Sequence, residues 1–209
     1  MLAKEHWEKK HKESEGRYNR VTDFARFAYF NFMKNKKKAS VLDLCSGKGA
    51  DSIFFHNKGL KVTSVDYSGE AIKQFNETQK RYEIFLSNLV KDITEPLPFQ
   101  DESFEYVYVR LGLYYFTEDE LKNILLEIRR VLKSEGLLIF QVKSTSDKEY
   151  GKGNEIEKDM FEDETGYVRR YFSKEYTESL LRDDFDVVMI EERKAENGNA
   201  YLEVVAEKK

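Results

Sequence analysis

Asp43 stands two residues before a glycine turn, Cys45-Ser46-Gly47-Lys48-Gly49, and a second carboxylate, Asp66, ends the next apolar run. A strand, a turn whose glycines let the backbone approach a ligand, a helix, and a second strand closed by an acid together make a nucleotide-binding βαβ unit. Asp66 follows the turn at close to the spacing of roughly 20 residues at which such an acid meets a ribose. Tyr67 beside it offers an aromatic face to an adenine. Asp43 sets this copy apart, because a fixed negative charge at the mouth repels a pyrophosphate and suits a cofactor that carries an ammonium group. S-adenosyl-L-methionine is such a cofactor. Ser52 occupies the place of the third glycine of a full dinucleotide fingerprint, which weakens a nicotinamide-dependent oxidoreductase as the alternative. The bland alternatives are a ligand-free glycine turn and an Asp66 that only caps the next helix.

Other reactive side chains are few. His6, His11 and His56 are the only histidines and Cys45 the only cysteine, so neither a metal cluster nor an internal disulfide is expected. His56 falls in the helix after the turn and reads as structural. His6 and His11, with Trp7 between them, reach the site only if the N-terminal segment folds over it. Arg110 could bind an anionic acceptor, contact a cofactor carboxylate, or form an ordinary ion pair.

The elements that must position these residues alternate along the chain. Strand-like runs fall at about 40–44, 61–66, 88–92, 104–110 and 137–143, with helical segments between them, which is the pattern of an α/β fold with a mainly parallel sheet. Ser68 can cap the helix that begins at Gly69. Thr117 and Glu120 form a capping box for a helix whose Leu121, Ile124, Leu125, Ile128, Val131 and Leu132 share one face. Gly59 and Gly136 are placed to end helices just before strands. Two further runs, 186–191 and 201–205, are joined by a segment too short for a crossover helix and should form an antiparallel hairpin. Near the front, Tyr18, Val21, Phe24, Ala28 and Phe32 recur at helical spacing, as either a core helix or a lid.

A parallel sheet finished by such a hairpin resembles the class I S-adenosylmethionine-dependent methyltransferases over nearly all of 39–207. The resemblance implies a Rossmann-like α/β sandwich, with a seven-stranded sheet in the order 3-2-1-4-5-7-6 and its last strand antiparallel beside the fifth. It implies that Asp43 holds the cofactor's ammonium directly or through water, and that Cys45, Ser46, Gly47 and Gly49 form the floor. Asp92 would accept from the adenine amino group and the Ile93 amide would donate to the ring. The acceptor would meet the cofactor near 109–116, which brings in Tyr114 and Tyr115. That stretch departs from the Asn/Asp-Pro-Pro-aromatic sequence of many enzymes that methylate exocyclic base amines, and it lacks the glutamate pair of protein arginine methyltransferases, so a small-molecule acceptor is expected. A charged insertion at 144–171 is loosely similar to the variable cover of tellurite-resistance and thiol methyltransferases. Tyr150, Arg170 and Tyr171 within it either line the acceptor pocket or only pack the loop. Methyl transfer from a positive sulfur needs alignment and a dry pocket more than a nucleophile, so no catalytic residue is assigned. A non-catalytic cofactor sensor or partner subunit shares every one of these features.

Size and charge set the outer bounds. The 209 residues suit one domain, read as a helical cap at 1–38, a cofactor-binding half at 39–143 and a substrate-side part at 144–209. A net charge of -4 gives no general attraction to nucleic acid, and Lys34, Lys36, Lys37 and Lys38 read as a solvated helix end. No apolar run approaches the roughly 20 residues needed to cross a bilayer, and the charged start has no signal-peptide pattern. The expectation is a cytoplasmic protein, with oligomeric state left open.

Overall fold

The computed structural model describes residues 2–14 and 20–209, with side chains from His6 onward. Tyr18 of the front stripe lies outside the described residues. The chain opens with α1 (Leu2–Glu13) and α2 (Asp23–Ala28), the latter running into a π turn at Tyr29–Met33. The βαβ core follows as β1 (Ser40–Leu44), α3 (Ala50–Asn57), β2 (Lys61–Asp66), α4 (Gly69–Tyr82) and β3 (Ser87–Val90). Then come β4 (Phe104–Arg110), a 3-10 turn at Leu113–Tyr115, α5 (Glu118–Val131) and β5 (Leu132–Lys143). Three short strands, β6 (Asn154–Glu157), β7 (Met160–Glu162) and β8 (Val168–Arg170), precede α6 (Lys174–Leu181), β9 (Phe185–Lys194) and β10 (Ala200–Lys208).

The main sheet has seven strands in the order β3-β2-β1-β4-β5-β10-β9. The first five are parallel, and β10 is antiparallel to both of its neighbours. With β6 to β8 set apart in their own antiparallel sheet, this is the expected order 3-2-1-4-5-7-6. Central parallel strands are covered on both faces, and period-two alternation decides which side chain goes where. Leu42 and Leu44 of β1 pack with Val107 and Val109 of β4 beneath Leu121, Ile124, Leu125, Ile128 and Val131 of α5. Val41, Tyr106, Tyr108 and Ile139 face the opposite way, toward Phe24, Ala28, Met33 and Phe55. The front stripe is therefore core, since Phe24 and Ala28 are buried in that second cluster with Val21 and Phe32 packed against it.

Four local readings need correction. β3 ends at Val90, so Asp92 lies just beyond it. Gly136 does not stop a helix: α5 ends at Val131 and passes directly into β5. Phe104 pairs with Leu132 but Tyr106 with Leu137, so 133–136 bulge out, with Glu135 at φ 59°. A Cβ on Gly136 would lie 2.8 Å from the Lys133 carbonyl oxygen, so the glycine serves a close backbone approach inside the bulge. The 144–171 insertion is folded, because it contains the small sheet. The hairpin strands extend beyond the expected runs at both ends. Gly59, by contrast, takes φ 87° after α3 as a helix stop should, and the Thr117–Glu120 capping box forms. Among the described residues no helix is long and apolar enough to cross a membrane.

Candidate cofactor and acceptor site

The glycine turn leaves β1 through three left-handed residues, Cys45 at φ 57°, Gly47 at 54° and Gly49 at 75°. Such a path is easy for glycine and costly for other residues. At Gly49 a Cβ would stand 2.2 Å from the ring of Phe75, which is itself fully buried and cannot yield. The turn thus packs tightly against α4 while its outer edge stays open.

Asp43 is 2% exposed on the face of β1 that looks toward α3. Its Oδ2 accepts a hydrogen bond from Ser52, whose own hydroxyl accepts from Ser64 at 2.8 Å. Ser52, the residue that replaces a third glycine, is thus the group that steadies this carboxylate. Burial pushes the Asp43 carboxyl well above the usual range; Ser52 and Arg110 draw it back, while Asp51 and Asp66 raise it further. A cavity of about 410 Å3 opens beside it, lined by Arg20, Asp43, Ser46, Asp51 and Arg110 among others. Two buried atoms in that wall, Ser46 Oγ and Arg110 Nε, have no hydrogen-bond partner among the described residues. Buried polar atoms left without partners cost free energy and mark places where a ligand or water completes the set. The donor set fits an amino-acid terminus, with a carboxylate for its ammonium and a guanidinium and hydroxyl for its carboxylate.

Sequence analysis missed Asp51, which read as an ordinary residue of the first helical turn. Its carboxylate accepts from Thr22 N and Thr22 Oγ1, both at 2.8 Å, and from Tyr108 Oη at 2.9 Å. It ties the start of α2 to the start of α3 and to β4, which closes one side of the cavity.

Asp66 is 6% exposed, and both of its oxygens already receive backbone amides, Gly47 N at 2.7 Å and Ser68 N at 2.9 Å. A carboxylate offers roughly four lone-pair sites, so these bonds orient it and leave capacity for further donors. Burial raises its carboxyl, opposed by the Ser68 and Gly47 amides. Ser68 caps α4 by accepting from Ala71 N at 3.0 Å, as expected. Tyr67 is half-buried, with its phenol pushed up by burial and by Asp66. The Lys91 amide donates to the Asp66 carbonyl at 2.9 Å and so brings the next loop alongside. There Asp92 is half-buried, its Oδ1 accepting from Thr94 N at 3.0 Å and Thr94 Oγ1 at 2.8 Å, while the Ile93 side chain is buried in the core.

The N-terminal segment does fold over the site. Glu8 accepts from Gly69 N at 2.7 Å and Glu70 N at 3.2 Å, placing an acid at the start of α4, where the helix dipole favours it. Lys48 donates to the Ser14 carbonyl at 2.6 Å, and Gln74 to the His11 carbonyl at 2.9 Å. His11 is buried, and a Cβ on Gly47 would lie 3.7 Å from its Cε1. Burial, aided by Lys48, lowers the His11 imidazole; burial and Lys10 lower that of His6. Trp7 meets Tyr115 edge-on at 5.9 Å, and His6 lies 4.5 Å from the Tyr167 ring.

Those tyrosines belong to an aromatic cluster that begins in the loop after β4. Gly112, in the loop after β4, approaches Cys45 so closely that a Cβ would lie 2.6 Å from its Cβ and Sγ. The turn beyond it presents Tyr114 and Tyr115, whose hydroxyls are 2.5 Å apart, and Tyr115 bonds in turn to Tyr167. Tyr167 carried no signal in the sequence. Arg170, in contrast, packs the loop: it is 2% exposed and gives its donors to the Phe116 and Lys158 carbonyls, both at 3.1 Å, and to Glu157. Tyr150 and Tyr171 pack with Phe161 over the small sheet, and the Tyr150 hydroxyl donates to Asp159 at 2.6 Å. The rings of Tyr150 and Tyr171 and most of the Arg170 donors are thus engaged within the insertion, with one Arg170 donor on the Phe116 carbonyl outside it.

Comparison with known proteins bears on this geometry. A family model described as a methyltransferase domain matches residues 41–136, the stretch from β1 into β5 that carries Asp43, the turn, Asp66 and Arg110. An uncharacterized methyltransferase of Synechocystis sp. is 31% identical over 99 residues, 46% of this chain and 43% of the relative. The matched stretch covers less than half the length of the curated relatives. The crystal structure of the PH0226 protein from Pyrococcus horikoshii superposes with a TM-score of 0.73 at 27% identity, covering 88% of this chain and 87% of that one. The 1,6-didemethyltoxoflavin-N1-methyltransferase of Burkholderia thailandensis, solved with its substrate and S-adenosylhomocysteine, superposes with a TM-score of 0.72 at 21% identity, over 88% and 76% of the two chains. Strand order, the acid before the glycine turn, the acid after the second strand and the matched family model agree: residues 41–136 are similar to a methyltransferase domain, and the chain has the fold of S-adenosylmethionine-dependent methyltransferases.

Proposed function

We propose that this protein transfers the methyl group of S-adenosylmethionine to a small-molecule acceptor. The observation that carries the reading is the cavity beside the glycine turn, where buried Asp43 faces Arg110 Nε and Ser46 Oγ, both without partners among the described residues. When bound, the cofactor supplies a methyl carbon activated by the adjacent positive sulfur. Asp43 would receive its ammonium, and Arg110 with Ser46 its carboxylate. Asp66, held rigid by two amides, keeps lone pairs for the ribose hydroxyls. Tyr67 would cover the adenine, with Asp92 and the Ile93 amide at its edge. α1 and the residue after it lie against the turn and the start of α4 and would limit water there. Trp7, Tyr115 and Tyr167 would stand on the acceptor side, and a solved structure of similar fold holds a small-molecule substrate with S-adenosylhomocysteine.

Calorimetric titration with S-adenosylmethionine, S-adenosylhomocysteine and NADH tests this reading. The expected result is saturable binding of the first two and none of the third. Absence of binding at millimolar S-adenosylmethionine, or tighter binding of NADH, would overturn it.

A further inference from the structure

The lysine run before β1 is joined in space by cations from further along the chain. Between Phe24 and Lys61 eight side chains are cationic and two acidic, in a protein whose net charge is -4. The two acids, Asp43 and Asp51, are buried at the cofactor end. Lys34, Lys36, Lys37 and Lys38 lie on one tight turn, closed by the Lys36 amide on the Met33 carbonyl at 3.2 Å and the Ala39 amide on the Lys36 carbonyl at 3.3 Å. The Lys61 amide donates to the Ala39 carbonyl at 2.9 Å, which sets the start of β2 beside that turn. Lys58, just past α3, holds its ammonium 5.6 Å from the centre of the Phe30 ring. All six lysines are exposed, and among the described residues none forms an ion pair. Glu105, which accepts from the Ser40 amide at 2.6 Å, is already bound to Lys133. Like charges gathered in this way repel one another, and an opposed anionic surface relieves that cost.

Phe30 decides the kind of surface. It is 49% exposed in the π turn that leads to the lysines. An apolar tip among lysines suits a negatively charged bilayer, with the ring entering the headgroup layer and the ammonium groups meeting its phosphates. A nucleic acid would instead stack a base on the ring. Lys58 already lies over that ring, and Tyr29 meets it edge-on at 5.2 Å. Arg26, the one arginine of the segment, is engaged over the Phe54 ring at 5.7 Å, so the patch lacks the free guanidinium forks that serve nucleic-acid recognition.

We propose that Phe30 with Lys34, Lys36, Lys37, Lys38, Lys58 and Lys61 forms a docking surface for the phosphate headgroups of an anionic lipid bilayer. The proposal goes beyond methyl transfer and does not rest on it. The patch stands at the N-terminal ends of β1 and β2, which run parallel, and the glycine turn follows the C-terminal end of β1. A chain resting on this patch therefore keeps its cofactor cavity turned away from the lipid. Attachment of this kind is peripheral and reversible, each lysine contributing about fivefold in affinity at low salt.

Sedimentation of the full chain with vesicles tests the proposal, using phosphatidylcholine alone and phosphatidylcholine with about one-third phosphatidylglycerol. The expected result is association with the anionic vesicles only, lost in about 0.5 M salt. Replacing Lys36, Lys37 and Lys38 together by alanine should weaken it by about a hundredfold, and Phe30→Ser by about tenfold, with melting temperature and S-adenosylmethionine affinity unchanged. Should the triple variant fail to fold, Lys37→Glu alone is read in the same way. No association with anionic vesicles, equal association with neutral ones, or binding that either substitution leaves intact would overturn the proposal. Tighter binding of a single-stranded RNA than of the anionic vesicles, at equal phosphate concentration, would overturn it in favour of a nucleic-acid surface.

Discussion

Asp43 sits where folding and binding pull in opposite directions. Its carboxyl is raised by burial, so the folded chain holds that proton more tightly than the unfolded one. The contribution to stability is complete below the unfolded carboxyl value of 3.8 and is lost as pH rises through the higher folded value. At neutral pH the ionised group is therefore a burden on the protein without ligand, relieved when an ammonium arrives. Asp43→Asn should raise the melting temperature of the cofactor-free protein at pH 8, with the gain shrinking as the pH is lowered toward 4. The same variant should weaken S-adenosylmethionine binding by about tenfold to a hundredfold, the value of a hydrogen bond to a charged group. Scanning calorimetry and titration on one preparation check both halves, and a lower melting temperature at pH 8 would contradict the account. Asp66 differs in that two amides fix it from within, so its neutralisation should disturb the turn as well as the ligand.

At the scale of elements, polar contacts tie α1 to α4 and to the glycine turn, beside the ring contacts of His6 and Trp7 with Tyr167 and Tyr115. Glu8 at the start of α4 and Gln74 on the His11 carbonyl are its polar ties among the described side chains, and Lys48 holds the Ser14 carbonyl just past its end. A helix attached in this way opens at lower cost than one seated in the core. Glu8→Ala should speed amide hydrogen exchange across α1 by about tenfold, the loss of one charge-assisted bond, and leave global unfolding in urea nearly unchanged. Exchange in α1 at the wild-type rate would show that Glu8 does not hold it. Asp51 is a tie of the opposite kind, since one buried carboxylate serves α2, α3 and β4. Asp51→Ala strands the Thr22 and Tyr108 donors and should cost about 2–4 kcal/mol in urea unfolding. Thr22→Ala, which removes a cap and one of those bonds, should cost about 1 kcal/mol.

Over the whole molecule, what could be read from the sequence was what is local in it. The strand, turn, helix and strand from Val41 to Asp66 are consecutive, so their chemistry showed in spacing alone, and the α5 face showed because five buried residues repeat at helical period. Long-range convergence left no such trace. Asp51 meets Thr22 from 29 positions away and Tyr108 from 57, and Tyr115 meets Tyr167 from 52. β6, β7 and β8, at four, three and three residues, are too short for alternation to emerge from a charged stretch. Gly136 misled because a glycine after a helix usually ends it, whereas here it relieves a backbone clash inside a bulge. For Arg170 the sequence left pocket and packing roles both open, because partners such as Phe116 lie 54 positions away.

The small sheet joins the rest of the molecule along one seam. Ser144 bridges to Phe172, Arg170 reaches the Phe116 carbonyl, and Glu157 receives the Glu118 amide at 3.2 Å. Tyr167, carried just before β8, is thus delivered to the tyrosine cluster by a module that shares no strand with β1 or β2. Exchanges among the exposed side chains of 154–169 could alter the surroundings of Tyr167 while Asp43 and Asp66 keep theirs. On the proposed reading, preference for one guest over another would have its own region of the chain in which to drift, apart from the residues that every guest must share.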